Sequence, residues 1–304
     1  MAQTLVTSPP MAAPGDFIAL MKPRVMSLVI FTSFIGMALV PSAPHPLLAM
    51  IALIAIAAGA GASGAINQWY DRDIDAVMMR TSRRPIPAGK VLAEEALSLG
   101  IVISVLSVLV LWFAGGMMAA LLLAFTIFFY GVIYTIWLKR STPQNIVIGG
   151  AAGAFPPAIG WLAAGGGLTL EPLLLFAIIF IWTPPHFWAL ALVKNEDYTK
   201  AGIPMLPVVA GRKATRNQIL AYSLILAPLA VMPAFIGMAG MVYGMVAGVL
   251  GLMFVFHAVR LWQDDHDASA MRLFRFSIIY LFLIFLALGL DALAGPVAKS
   301  LGIG

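Results

Sequence analysis

Cysteine is absent from the 304 residues, which excludes disulfides, thiolate metal sites and a cysteine nucleophile. Charge is scarce too. Asp, Glu, Lys and Arg together make up 10% of the chain, where an ordinary soluble domain carries about 25%. A soluble protein of this length needs a charged surface, so the shortage excludes a soluble enzyme, a disordered chain and a nucleic-acid binder. No Lys or Arg precedes Lys22. The start therefore lacks the basic region of a signal peptide and the arginines of a transit peptide, which points to a bacterial cytoplasmic (inner) membrane rather than an imported organellar protein.

Apolar residues fill the space that charge leaves. They make up 62% of the chain, and the mean hydropathy is +0.98. That suffices for nine segments of roughly 20 residues, the length that crosses a bilayer as a helix. The fold class expected is an all-α polytopic membrane protein with nine transmembrane helices, near 25–43, 47–67, 96–114, 117–138, 143–164, 171–193, 217–238, 240–262 and 273–294. Glycines at 115–116, 165–167 and 237–240 read as short turns between spans. Residues 1–21 then form a short cytoplasmic tail, and 22–304 a single transmembrane domain. With the N-terminus inside, 17 of the 18 Lys and Arg residues fall at the N-terminus or in the loops after spans 2, 4, 6 and 8, leaving Lys299 with the external C-terminus. Basic loops stay cytoplasmic, so the net charge of +5 reports orientation rather than an acidic partner.

The same segments hold eleven of the thirteen acids, all but Glu171 and Asp291. Orientation needs basic residues only, so an excess of both signs marks that face as the one that does chemistry. Loop 2–3 opens with acids and ends in PIPAGK, and loop 6–7 opens with Asn195-Glu196-Asp197 and runs on to AGIPMLPVVAGRK. The two lie four spans apart, which suggests a parallel pseudo-repeat of helices 1–4 and 5–8 facing one cavity.

The sharpest signal is NQWYDRDID at the end of span 2. On a helix, Asn67, Asp71 and Asp75 share one face while Asp73 points away. Two carboxylates one turn apart repel unless a cation lies between them, and oxygen ligands of this kind suit Mg²⁺ completed by substrate phosphate. Acids at a membrane boundary are costly to keep without a function. Downstream, RTSRRPIPAGK supplies Arg80, Arg83, Arg84 and Lys90, and arginine matches phosphate with a planar, permanently charged fork. Arg83 and Arg84 are the preferred diphosphate-binding pair. Lys139 and Arg140 in loop 4–5 and Lys194 and Lys200 in loop 6–7 come second. Asp197 is the expected second anionic anchor for metal, with Glu196 a weaker choice. Tandem prolines at Pro156-Pro157 and Pro184-Pro185 predict broken helices that line a cavity, because proline frees carbonyls that lipid cannot satisfy. His186, beside the second pair, either binds a planar or iron-bearing ligand or is a hydrogen-bonded interior histidine. His257 reads as structural.

NxxxDxxxD followed by RRPIP and AGK resembles the UbiA-type intramembrane prenyltransferases. The strings YTIWLKRSTPQNIVIGGAAGAFPPAIGW, WTPPHFWALAL and DYTKAGIPMLPVV are similar to the branch of that superfamily that farnesylates protohaem IX, the haem O synthases. The resemblance runs from about Met21 to the last helix. It implies nine helices around a central cavity open to the cytoplasmic side. It also implies transfer of a farnesyl group from farnesyl diphosphate to a vinyl group of haem b, with water adding to give a hydroxyethylfarnesyl side chain. Mg²⁺ is then the cofactor, and haem b is a substrate rather than a prosthetic group. Asn67, Asp71 and Asp75 match the first metal–diphosphate motif and Asp197 the second. The second motif often carries acids spaced by four, whereas Val193 and Ala201 stand here, so one or two Mg²⁺ ions are both open. Expected partners are the two substrates, the lipid bilayer and a downstream haem-modifying enzyme or terminal oxidase assembly; no nucleic acid is expected.

Competing readings are a related prenyltransferase acting on an aromatic acid or quinone precursor, a secondary transporter, and a structural subunit of a respiratory complex. Transporter sites lie near the bilayer midplane, whereas the acids here gather at one interface. A structural subunit would not need the NxxxDxxxD face.

Overall fold

The computed structural model describes residues 12–42 and 44–300, so residues 1–11 of the expected tail lie outside it. The described residues form helices and connecting loops without strands. Eight helices are long and apolar enough to cross a membrane, and a ninth span arises if the bent pair α1 (Pro14–Leu20) and α2 (Pro23–Ala38) is one crossing. The pair bends by 57° at Lys22, a non-glycine residue with a left-handed φ of 54°. Part of the expected tail is thus helical, with Leu20 buried and its carbonyl accepting from Gln68 Nε2 at 2.7 Å.

Span 2 is α3 (Pro46–Tyr70), followed after one residue by the six-residue α4 (Arg72–Val77). Then come α5 (Ala93–Gly115) and α6 (Met117–Phe128), which continues as a π-helix over Phe129–Leu138. α7 (Asn145–Ala154) and α8 (Pro156–Ala163) together make the fifth span. α9 (Leu170–Val193) is followed after one residue by the six-residue α10 (Asn195–Lys200), the arrangement already met at α3 and α4. α11 (Leu206–Phe235), α12 (Met241–Asp264) and α13 (Asp267–Ser300) complete the chain. The turn glycines Gly116, Gly165 and Gly237 all take positive φ, as the short connections require.

The tandem prolines act differently from the expected breaks. α9 runs without interruption through Pro184 and Pro185. Thr183 Oγ1 donates to the Ile179 carbonyl at 2.7 Å, and α7, α11 and α13 all pack on α9, so protein rather than lipid surrounds the freed carbonyls. At Pro156 the ladder is interrupted, yet Phe155 keeps helical angles (φ −70°, ψ −30°) and the span continues.

Lipid offers no hydrophobic force to press helices together, so close packing must do it. α2 and α8 cross backbone to backbone at Gly36 and Gly160. A Cβ on Gly36 would stand 2.0 Å from the Pro157 carbonyl oxygen, and one on Gly160 2.0 Å from that of Ser33. This crossing holds the N-terminal helices against the middle of the chain. A larger core joins α9 to α11–α13 through Leu175, Ile178, Leu226, Phe254, Tyr280 and Phe285.

Candidate active site

The charged segments converge on one end of the bundle. Lys22 reaches α3, Arg84 reaches α4, and Lys139 and Arg140 reach the α3–α4 junction. Arg212 and Arg216 of α11 pair with Asp265 between α12 and α13, and Arg212 also pairs with Asp267.

At the centre lie Asn67, Asp71 and Asp75, which are 3%, 0% and 2% exposed, while Asp73 is 61% exposed. The helical register persists across the junction, since the Asp71 N–H donates to Asn67 and the Asp75 N–H to Asp71. This carries the three side chains inward together. Asn67 Nδ2 donates to Asp71 Oδ2 at 2.7 Å and to Thr135 Oγ1 at 3.1 Å, and Asn67 Oδ1 accepts from Lys22 Nζ at 2.8 Å. Asp71 is ion-paired with Lys139 and lies 3.4 Å from Arg140. Asp75 pairs with Arg84 at 2.6 Å. Asp73 instead takes two 2.7 Å bonds from Arg140 on the outside, and these hold its carboxyl down at about 2.

The π-helix sets the position of Lys139. Its i→i+5 bonds, such as Lys139 N–H to Tyr134 O at 2.8 Å, lengthen the turn to roughly 4.4 residues. Tyr130, Thr135 and Lys139 then fall on one side. With about 3.6 residues per turn, the nine steps from Tyr130 to Lys139 would put them on opposite sides. Thr135 closes the arrangement by donating to the Tyr130 carbonyl at 2.7 Å. Tyr130 and Tyr134 stack 5.3 Å apart, and Lys22 Nζ lies 3.4 Å from the Tyr130 hydroxyl.

The expected residues divide. Asn67, Asp71, Asp75, Arg84, Lys139 and Arg140 meet. Arg83 is exposed, while its neighbour Arg84 turns inward. Lys200 and Glu196 are exposed, and Lys194 and Asp197 are half-buried at the ends of α9 and α10. Asp197 lies beside Tyr198, whose phenol is pushed up by burial. Among the described residues no three His, Asp or Glu side chains gather closely enough to hold a metal by themselves. Two buried carboxylates beside an amide oxygen are nevertheless the hard donor set that Mg²⁺ takes when phosphate supplies the remaining ligands.

His186 does not join this cluster. Its ring is stacked between Trp182 (4.3 Å) and Phe274 (4.7 Å), with Nδ1 2.7 Å from the Ser277 hydroxyl. That hydroxyl donates to the Phe274 carbonyl, so it accepts from Nδ1–H and leaves Nε2 as the basic nitrogen. Lys22, Tyr130, Tyr134 and Thr135 are members of the site that sequence reasoning missed. Lys22 and the YGVIYTIWLK segment carried a signal, polar groups placed just before or at the end of apolar spans.

Known proteins resemble this chain in sequence and in fold. The chain is 59% identical over 281 residues to a protoheme IX farnesyltransferase of Methylocella silvestris, covering 91% of this chain and 89% of the relative. It is 56% identical over 298 residues to one of Parvibaculum lavamentivorans, covering 97% and 92%. Among solved structures, one described for digeranylgeranylglyceryl phosphate synthase superposes with a TM-score of 0.75 at 18% identity, covering 91% of this chain and 98% of that one. A UbiA homolog from Archaeoglobus fulgidus bound to GPP and Mg²⁺ gives 0.65 at 17% identity, covering 90% and 99%. Residues 29–289 match the UbiA prenyltransferase family, and the chain, a multi-pass membrane protein, belongs to that family.

Proposed function

We propose that the protein transfers a farnesyl group from farnesyl diphosphate to a vinyl group of haem b, giving haem O with a hydroxyethylfarnesyl side chain and releasing diphosphate. The observation that carries the reaction type is the buried Asn67–Asp71–Asp75 face with Lys22, Arg84 and Lys139 around it. The choice of haem as acceptor rests on the identity to relatives named for it. Asn67, Asp71, Asp75 and, from α10, Asp197 would hold Mg²⁺, which supplies charge neutralisation at the diphosphate.

The chain's own residues account for the rest. Lys22, Arg84, Lys139 and Arg140 bind the diphosphate oxygens, with Arg83 and Lys200 at the mouth. Their charge counts most when the C1–O bond breaks and its electron pair moves to the leaving oxygen. The faces of Tyr130 and Tyr134 shield the allylic cation. Half-buried Phe129, Phe155, Phe176 and Phe180, in edge and stacked contacts 4.8–6.5 Å apart, offer an apolar wall to the farnesyl chain and keep water away. The vinyl π electrons form the new C–C bond, and water adds to the resulting cation and loses a proton. His186 contacts the porphyrin through Nε2.

The charged end faces the cytoplasm of a bacterial cytoplasmic membrane, with the N-terminus inside and the C-terminus outside, and residues 22–304 act as one domain of two parallel halves. Reporter fusions at both ends test this; both ends on one side would refute an odd number of crossings. The product passes to a haem-modifying enzyme or oxidase assembly. The deciding experiment incubates the full chain with haem b, farnesyl diphosphate and Mg²⁺ and weighs the porphyrin, with 4-hydroxybenzoate as the competing acceptor. A porphyrin heavier by one farnesyl and one hydroxyl group is expected, and prenylated hydroxybenzoate alone would overturn the reading.

A further inference from the structure

Away from the acidic cluster, the groove between the last two turns of α12 and the first turn of α13 holds a small hollow of about 60 Å³, lined by Phe256, His257, Arg260, Ser269 and Arg272. Three of these five side chains are basic and none is acidic. Arg272 donates to Ser269 Oγ at 2.9 Å, and Ser269 donates in turn to Asp264 at 2.6 Å. Asp264 is therefore already engaged. Among the described residues neither Arg260 nor Arg272 has a carboxylate at salt-bridge distance, unlike Arg84, Arg140, Arg212 and Arg216.

Depth in the membrane selects the ligand. At about 1.5 Å per residue, Phe256 to Arg260 lie about 6–12 Å from the Asp264 end of α12, on the scale of a headgroup layer. Phe256 and Trp262 expose their rings on the same helix, the position of an interfacial aromatic belt. Arg260 lies 5.8 Å from the Phe256 ring, which keeps the guanidinium over the groove. The α12–α13 groove is separate from the face of α13 that carries Phe274 and Ser277 to His186.

We propose that this hollow binds the phosphate of an anionic phospholipid, with Arg260 and Arg272 as a two-sided clamp, His257 at the back, and Phe256 against the upper acyl chain. The chemistry is that of a phosphate anion, and the lipid is the source because the lining residues sit on two helices long and apolar enough to cross a membrane, beside the exposed rings of Phe256 and Trp262.

The test uses the full chain in discs containing equal amounts of phosphatidylglycerol and phosphatidylcholine, with retained lipids counted by native mass spectrometry. The wild type should keep phosphatidylglycerol in preference. Arg260→Gln/Arg272→Gln should lower that preference by roughly fivefold for each arginine removed. Arg24→Gln/Lys213→Gln, which removes as much charge from exposed positions elsewhere, should leave it unchanged. Arg260→Lys/Arg272→Lys should largely retain it, and serves where the double Gln variant fails to fold by its melting temperature. Equal retention by the wild type and the double Gln variant, or an equal loss in the Arg24/Lys213 control, overturns the site. Displacement of the lipid by the same concentration of inorganic phosphate overturns the lipid as its occupant.

Discussion

Replacing Asp71 by Asn tests the site at its most buried acid. The change keeps size and the helix junction but removes one negative charge from a fully buried position that faces Lys139, Arg140 and Asn67. Asn can still accept from Lys139, at about half the strength of a charged acceptor. The larger loss falls on the leaving diphosphate, because the charge that Asp71 helps to balance is greatest in the transition state. Loss of one such electrostatic stabiliser costs about 10²–10³ in rate. Asp75→Asn, which strands Arg84, should fall in the same range. Asp73→Asn removes only an exposed pair with Arg140, and exposed pairs contribute about 0–1 kcal/mol, so its rate should stay within about fivefold of wild type. Farnesyl transfer is measured across a Mg²⁺ titration for each variant at matched melting temperature, with haem affinity followed by absorbance. Haem binding should survive all three changes. If Asp73→Asn is as damaging as Asp71→Asn, or Asp71→Asn keeps near-full activity at low Mg²⁺, the inward metal face is wrong.

Gly160→Ala should lower the melting temperature sharply, because its Cβ meets backbone rather than a movable side chain; overpacking of this kind costs about 1–3 kcal/mol or more, and an unchanged melting curve would contradict the crossing. Thr135→Val removes an acceptor for Asn67 and a donor to the Tyr130 carbonyl, so kcat should fall by roughly tenfold, the loss of about one hydrogen bond, with haem affinity intact. His186→Ala should weaken haem binding more than farnesyl diphosphate binding, and an equal loss of both would favour a purely structural role. Arg140→Gln should let the Asp73 carboxyl rise from about 2 towards its ordinary 3.8. Because the folded value is the depressed one, the pair's contribution is present above pH 3.8 and fades as pH falls through 2, a window that carboxyl titration by NMR can follow.

The membrane class, the spans and the Asn67–Asp71–Asp75 face were legible in the sequence because each is a local property. Twenty apolar residues make a crossing whatever surrounds them, and a spacing of four puts side chains on one helix face through backbone geometry alone. That geometry also separated Asp73 from its neighbours. Tertiary structure decided the cationic side of the site. Arg84 and not Arg83 turns inward because the loop after α4 folds back onto Asp75, and no pattern in RTSRRP distinguishes the two. Lys22 joins the site through a left-handed residue at a 57° bend, a conformation that a lysine adopts only when its surroundings hold it there. Lys139 arrives through ten residues of π-helix, whose period an α-helical reading of the segment cannot supply. The prolines of α9 signalled a break that three packed neighbours removed. Backbone spacing is written in the chain, but which cation faces which acid depends on contacts between residues far apart in it, such as Lys22 with Asn67 and Lys139 with Asp71.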